Sequence, residues 1–140
     1  MGDGGIYYIE GSAKPGFTVL TESSNTYTNI YALYGSIMKC SNCNFTITSS
    51  TMDGSRAYSG GAFFVENQAA GTVTSTSLKN VMAVTQGGVM SIIQSGISSL
   101  QPTTITFKNC PNLIGNNASE GGVFYINQPK IQVLLDTVTI

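Results

Sequence analysis

"EGGVFYINQ", residues 120–128, is one of five related cassettes in a chain of 140 residues. "DGGIYYIEG" at 3–11 and "SGGAFFVENQ" at 59–68 repeat it, and "GSIMKCSN" at 35–42 and "GGVMSIIQ" at 87–94 are variants. Aligned on the second residue of the glycine pair, they place Gly5, Ser36, Gly61, Gly88 and Gly122 at spacings of 31, 25, 27 and 34. A recurrence in that range marks a repeat architecture. The next four positions carry the pattern. The first is Ile6, Ile37, Ala62, Val89, Val123; the second is Tyr7, Met38, Phe63, Met90, Phe124. The third is Tyr8, Lys39, Phe64, Ser91, Tyr125; the fourth is Ile9, Cys40, Val65, Ile92, Ile126. Side chains alternate between faces along a strand. Positions two and four, with no charged or small polar member, are therefore the expected core ladder. Position three, with Lys39 and Ser91, is expected to face outward. Position one is open: it forms an outward apolar stripe, or a corner at the glycines covers it.

Composition agrees with strands. Only 9% of residues are charged and the net charge is −1, against about 25% charged in ordinary domains. Hydrophobic content is 41%, with six Phe and seven Tyr, which favours order over disorder. Thr, Val, Ile, Tyr and Phe suit pleated surfaces. No basic patch is present to neutralise phosphates, so nucleic acid is not an expected partner. No run reaches the ~18 apolar residues of a membrane span, and no signal peptide is visible before "GDGG". The repeats lead us to expect residues 1–140 to be a single β-solenoid segment, cut from a longer solenoid or stacked in a filament.

Two places after position four the pattern turns polar, at Gly11, Asn42, Asn67, Gln94 and Gln128. Stacked amides can bond along a column, so Asn42, Asn67, Gln94 and Gln128 are an expected amide ladder. A second strand is expected in each unit. Its inward pairs are Phe17 and Val19, Phe45 and Ile47, Thr76 and Leu78, Ile105 and Phe107, and Val138 and Ile140. Unit three has a competing register through Val73. Ile97, Leu100, Ile131, Val133 and Leu135 read as a further face or an inserted loop.

Units of 25–34 residues with a period of two exclude helical repeats, and the leucine-rich pattern is absent. What remains is an all-β parallel β-helix. It has four to five coils, about 4.8 Å apart, on a rod some 20–25 Å tall. Glycine pairs suit sharp corners, because glycine accepts positive φ and close backbone approach. A phosphate-cradling loop would lead into a helix, and none of these does.

"GGAFFV", "GGVMSI" and "GGVFYI", with "ITFKNCPNLIGNNASEGGVFYI" at 105–126, resemble the glycine-glycine repeats of polymorphic outer membrane proteins and related pectin-lyase-like surface proteins. Their signature GG[AILV][ILVY] is matched at 4–7, 60–63, 87–90 and 121–124, allowing Met and Phe at the last place. Their Phe-x-x-Asn element is not matched, since Asn109 follows Phe107 one residue early. The resemblance spans nearly the whole chain. It implies a right-handed parallel β-helix, exported and surface-displayed, and implies no chemistry.

The expected function follows from shape and surface. Edge strands without caps are templates for pairing, so self-association is expected end to end. Tyr8, Phe64 and Tyr125 form the expected lateral interface; aromatic rows also suit sugars, which keeps glycan binding as an alternative. Asn44 and Asn117 begin the sequons Asn44-Phe45-Thr46 and Asn117-Ala118-Ser119. Cys40, Cys43 and Cys110 are an odd count. Cys40 reads as a core residue, Cys110 lies too many coils from Cys43 to bridge, and the set is expected to be free or intermolecular thiols. With no His and only three Cys, no metal or cofactor is expected. A polysaccharide lyase or hydrolase fragment is a further alternative, since such enzymes use this fold. Its nearest acid pair, Glu10 and Glu66, is two coils apart, close to the ~6.5–9.5 Å of inverting glycosidases, but no third polar group converges there. Arg56, the only arginine, is expected in an exposed turn. The overall expectation is a non-enzymatic structural solenoid of an extracellular or cell-surface filament, stalk or coat, with an adhesin as runner-up.

Overall fold

The computed structural model describes residues 2–11, 19–94, 103–127 and 130–140. All regular elements among them are strands, and every strand pair is parallel. The first coil is β1 (Tyr7–Glu10), β2 (Val19–Ser23), β3 (Thr26–Thr28) and β4 (Tyr31–Tyr34). The second is β5 (Met38–Thr48), β6 (Thr51–Asp53) and β7 (Arg56–Ser59). The third is β8 (Phe63–Thr74), β9 (Ser77–Lys79) and β10 (Met82–Ala83). The fourth holds β11 (Met90–Ile93) and β12 (Thr103–Lys108), and β13 (Phe124–Asn127) and β14 (Ile131–Asp136) begin a fifth. Stacking assembles these into one eight-stranded sheet and two three-stranded sheets, β3-β6-β9 and β4-β7-β10. The fold is a parallel β-solenoid of about four turns.

Register follows the cassettes. Tyr7, Met38, Phe63, Met90 and Phe124 are paired neighbours along the stack, as are Ile9, Cys40, Val65, Ile92 and Ile126. In the middle coils these residues are fully buried and form the core. Position one points inward as well: Ile37, Ala62 and Val89 are buried in the same core. The cause is the corner. The Ala62 carbonyl accepts from both Ile37 and Met38 N–H, at 2.9 and 3.1 Å, and the Val89 carbonyl accepts from both Ala62 and Phe63 N–H, each at 2.9 Å. Two consecutive donors aimed at one acceptor put a bend where strict alternation would put an outward residue.

The glycines explain the bend. Gly35, Gly60, Gly87 and Gly121 have φ between +54° and +65°, a region costly for residues with a Cβ. The second member of the pair meets a different limit. A Cβ on Gly5, Gly61 or Gly88 would run into the carbonyl oxygen of its counterpart one coil on, at Ser36, Gly88 or Gly122. The chain carries a side chain there at Ser36, whose Oγ donates to the Gly61 carbonyl oxygen. The hydroxyl adds a hydrogen bond between the coils at a position where a bare Cβ has only the steric cost.

Three further corners use left-handed residues that are mostly not glycine. Asn42 and Asn67 have φ of 52° and 61°. Their bend divides β5 and β8 into two faces, with a register shift between Ser41 and Cys43. Ser24, Ser49, Ser75, Asn109 and Thr137 follow residues paired in register and share φ of 50–59°. Asn29, Gly54, Asn80 and Gly115 alternate along the last corner. The Asn29 and Asn80 side chains occupy the room over Gly54 and Gly115. Asn is the residue other than glycine that enters this region most readily.

Several expected second strands are corrected. In the first coil Leu20 pairs with Phe45 and Glu22 with Ile47, so Val19 faces outward and is exposed; Phe17 lies outside the described residues. In the third coil the Val73 register holds, with Val73 between Ile47 and Phe107. Leu78 instead belongs to the next face, in line with Met52, and Thr76 is buried at the corner, its hydroxyl bonded to the Thr74 carbonyl at 2.9 Å. In the fifth coil Val133 and Leu135 stack on Ile105 and Phe107. Ile131, Val133 and Leu135 are thus the second strand, and Val138 and Ile140 lie beyond it. Ile97 and Leu100 lie outside the described residues. The corrections share one cause: triplets of the form apolar-Thr-apolar occur on more than one face, and only stacking chooses among them. Gly71 shows how finely. It lies between Phe45 and Ile105, and a Cβ there would strike the Phe45 ring.

Gly61→Ala is expected to cost about 1–3 kcal/mol, the range for overpacking a tight core. Gly61→Ser should cost less, because its hydroxyl can bond the Gly88 carbonyl as Ser36 bonds Gly61. Gly122→Ala, where a Cβ meets nothing within 4 Å, should stay within about 0.5 kcal/mol of the parent. Urea denaturation of the three variants measures the order.

Candidate functional site

Three outer surfaces could carry function: two on the eight-stranded sheet, one on either side of the bend that divides β5 and β8, and one on β4-β7-β10. The first is the column of position three, where Tyr8, Lys39, Phe64, Ser91 and Tyr125 stand in register. They do point away from the core ladder, yet Phe64 is only 3% exposed and Ser91 is buried. Tyr34, at the end of β4, lays its ring 4.7 Å from that of Phe64. Lys39 closes the rest: its Nζ lies 4.9, 5.4 and 5.9 Å from the Tyr34, Tyr8 and Phe64 ring centres. The ammonium also donates to Asp3 Oδ2 at 3.2 Å and lies 3.9 Å from Glu66 Oε2. Burial alone pulls the Lys39 pKa down, but Asp3 and Glu66 outweigh it and hold the ammonium above its usual value. Tyr8, Tyr34 and Phe64 thus form an aromatic cage filled by the chain's own lysine, while Tyr125, on the far side of Phe64 and Ser91 from Lys39, is half-buried. Tyr8 remains half exposed, with its hydroxyl donating to Glu10 Oε2 at 3.3 Å. The Glu10 charge pushes the Tyr8 hydroxyl pKa up. Glu10 and Glu66 are two coils apart in one column, separated by Ser41, and Glu66 is turned to Lys39.

The second surface is the outside of the second strands. Thr21, Thr46, Thr72 and Thr106 stack in register there, beside Asn44, Ala70 and Thr104. Asn44 is half-buried and its Oδ1 accepts from Ala70 N–H at 3.2 Å. Asn117 is exposed on the fourth coil, bridged to Met82, and the Ser119 hydroxyl of its sequon donates to the Val84 carbonyl at 2.8 Å. At the expected amide column Asn67 Nδ2 donates to Ser41 Oγ at 3.4 Å. Gln94 donates through its backbone to the Asn127 carbonyl, and Gln128 lies outside the described residues.

The third surface is the outside of β4-β7-β10. Tyr31, Leu33, Tyr58 and Val84 are exposed there and line an open groove of about 310 Å³ with Arg56, over a floor of Ala32 and Ala57. Sequence reading missed it. Tyr31, Arg56 and Met82 are in register, but the strands are too short for their alternation to stand out.

The cysteines need correction. Cys40 and Cys43 form a disulfide across the bend at Asn42, with Cα atoms 5.9 Å apart. On a straight strand, residues three apart point to opposite faces; the left-handed residue between them turns both inward. Cys110 is the free thiol, and burial pushes its pKa up.

Among the described residues the interior holds one carboxylate. Glu22 occupies an inward position under Ile47 and is buried. It accepts from Tyr27 OH at 2.7 Å, from Ser50 Oγ at 2.6 Å and from Asn25 Nδ2. Tyr27 and Tyr7 hydroxyls are 3.1 Å apart. Burial, then Tyr7 and Glu22, push the Tyr27 hydroxyl pKa far up. Among the described residues no group of three or more His, Cys, Asp or Glu could hold a metal ion, and no helix is long and apolar enough to cross a membrane. Comparison with protein-family models, with curated proteins and with solved structures finds no match to this chain.

Two measurements probe these clusters. Lys39→Met keeps the stem but removes the charge shared by three rings and two carboxylates. It is expected to cost about 1–2 kcal/mol, read by thermal denaturation. For Tyr27 the folded state holds the proton more tightly than the unfolded chain, which releases it near pH ~10. Stability should therefore fall as pH rises above that value. Tyr27→Phe should show a shallower alkaline fall in a melting series.

Proposed function

We propose that this chain is a structural, non-enzymatic β-solenoid: a rod segment of an extracellular or cell-surface filament, stalk or coat, whose coils continue along the axis. The observation that supports this is the burial gradient of the shaft. Met38, Phe63 and Met90 are fully buried, whereas Tyr7 and Phe124 in the outer coils are half-buried and Ile126 is 44% exposed. The cover that fits such a surface is another coil, because parallel ladders continue by addition. The Cys40–Cys43 disulfide supports an exported setting, since such bonds persist in oxidising compartments. Against a lyase or hydrolase reading, Glu66 is turned to Lys39 and Glu10 to Tyr8. Against an adhesin working through Tyr8, Phe64 and Tyr125, Phe64 is covered by Tyr34 and Lys39.

The test is sedimentation and electron microscopy of the purified chain. Elongated particles that lengthen with concentration are expected, and Ile126→Lys should stop the lengthening without unfolding the coils. Globular monomers at every concentration, unchanged by Ile126→Lys, would overturn the proposal.

A further inference from the structure

Most exposed apolar residues of this solenoid lie on its outer coils, where further coils can cover them. Tyr58 and Val84 cannot be explained that way. Tyr58 is in the second coil and Val84 in the third. Tyr58 has β4 and β10 on its two sides, and Val84 has the Ser119 segment of the fourth coil beyond it. They are nevertheless 50% and 64% exposed. Axial growth leaves this flank bare, so only a lateral partner can cover it. With Tyr31 and Leu33 they make a contiguous apolar face, and Arg56 stands in register beside Tyr31.

The charge on this face points to the partner. Among the described residues Arg56 has no ion pair, and the cation–π contacts all belong to Lys39. No acid lines the groove. The face thus carries an unpaired cation beside two exposed phenol rings. A surface holding both halves of a cation–π pair, neither spent internally, is complementary to itself. In a two-fold contact each copy's arginine meets the other's tyrosine and the reverse, as an isologous interface requires. Tyr and Arg are also the residue types that concentrate binding energy in interfaces.

We infer that the outer face of β4-β7-β10 is a lateral docking surface for a second copy of this chain, joined by reciprocal Arg56–tyrosine contacts over Tyr31, Leu33, Tyr58 and Val84. The Tyr8–Phe64 part of the first-strand column is not the contact, because Lys39 and Tyr34 already cover it. This pairing is independent of axial growth. Where rods do extend, the face recurs with each copy, and many weak contacts act together.

The experiment uses the full chain carrying Ile126→Lys, which removes axial stacking from the readout. Sedimentation equilibrium from dilute to high concentration should give a reversible dimer. Adding Tyr58→Lys should halve the mass, with an unchanged circular dichroism spectrum, because Tyr58 projects into solvent. Arg56→Glu should weaken the dimer at least tenfold and Arg56→Lys should restore most of it. The inference is overturned if the Ile126→Lys chain is monomeric throughout, or if its dimer is indifferent to Tyr58→Lys and Arg56→Glu. It is equally overturned if the chain stays monomeric and binds a glycan array through Tyr58. Failure of the wild-type chain to lengthen would sink only the axial proposal.

Discussion

At the glycine corner the carbonyl oxygen of one coil occupies the space where the preceding coil would otherwise carry a side chain. Gly5, Gly61 and Gly88 all meet this limit, and Ser36 meets it by donating to the Gly61 carbonyl. This contact sets the axial register. Once the corners are stacked, the carbonyl of the next residue collects two N–H groups from the preceding coil. The chain bends, and Ile37, Ala62 and Val89 turn inward beside Met38, Phe63 and Met90. The rest of each coil inherits that register. Strand spacing of about 4.8 Å then makes each face a set of columns, so one residue type repeated per coil becomes a continuous feature.

Columns built this way meet solvent differently, because neighbouring faces fold over some of them. The outward column of the first strands is roofed by Tyr34, which reaches it from the end of β4. Lys39 then finds three rings and two carboxylates around its ammonium. The outward side of β4-β7-β10 has no such roof, and its tyrosines stay open. A flat alternation rule treats the two columns alike. The corner between them decides which one can meet a partner.

The shaft tolerates a polar group where hydrogen bonds are complete. Glu22 stands in line with Ile47, Val73 and Phe107. Burying a carboxylate there would be costly without partners. Tyr27, Ser50 and Asn25 supply donors to it, and Tyr7 extends the chain of hydroxyls. The first described coil therefore differs chemically from the apolar cross-section formed by Phe124, Val133 and Leu135.

The periodic cassettes by themselves determined the all-β class, the coil period and the residues of the first-strand ladder. The physical reason is that a parallel stack repeats its environment, so each core column must be written once per turn. Glycine pairs were legible because a positive φ and a missing Cβ leave a compositional mark. The left-handed corners at Ser24, Ser49 and Ser75 leave almost none, as serine is common throughout. Only the tertiary structure decided the register of the second strands, where Val19, Thr76 and Val138 were misplaced because apolar-Thr-apolar triplets fit several faces. It also decided the Cys40–Cys43 bond, which depends on the bend at Asn42, and the inward turn of position one. The functional surface belongs to the same class. Whether Phe64 or Tyr58 meets solvent depends on what the neighbouring turn lays across it, and that is a property of packing between residues distant in sequence.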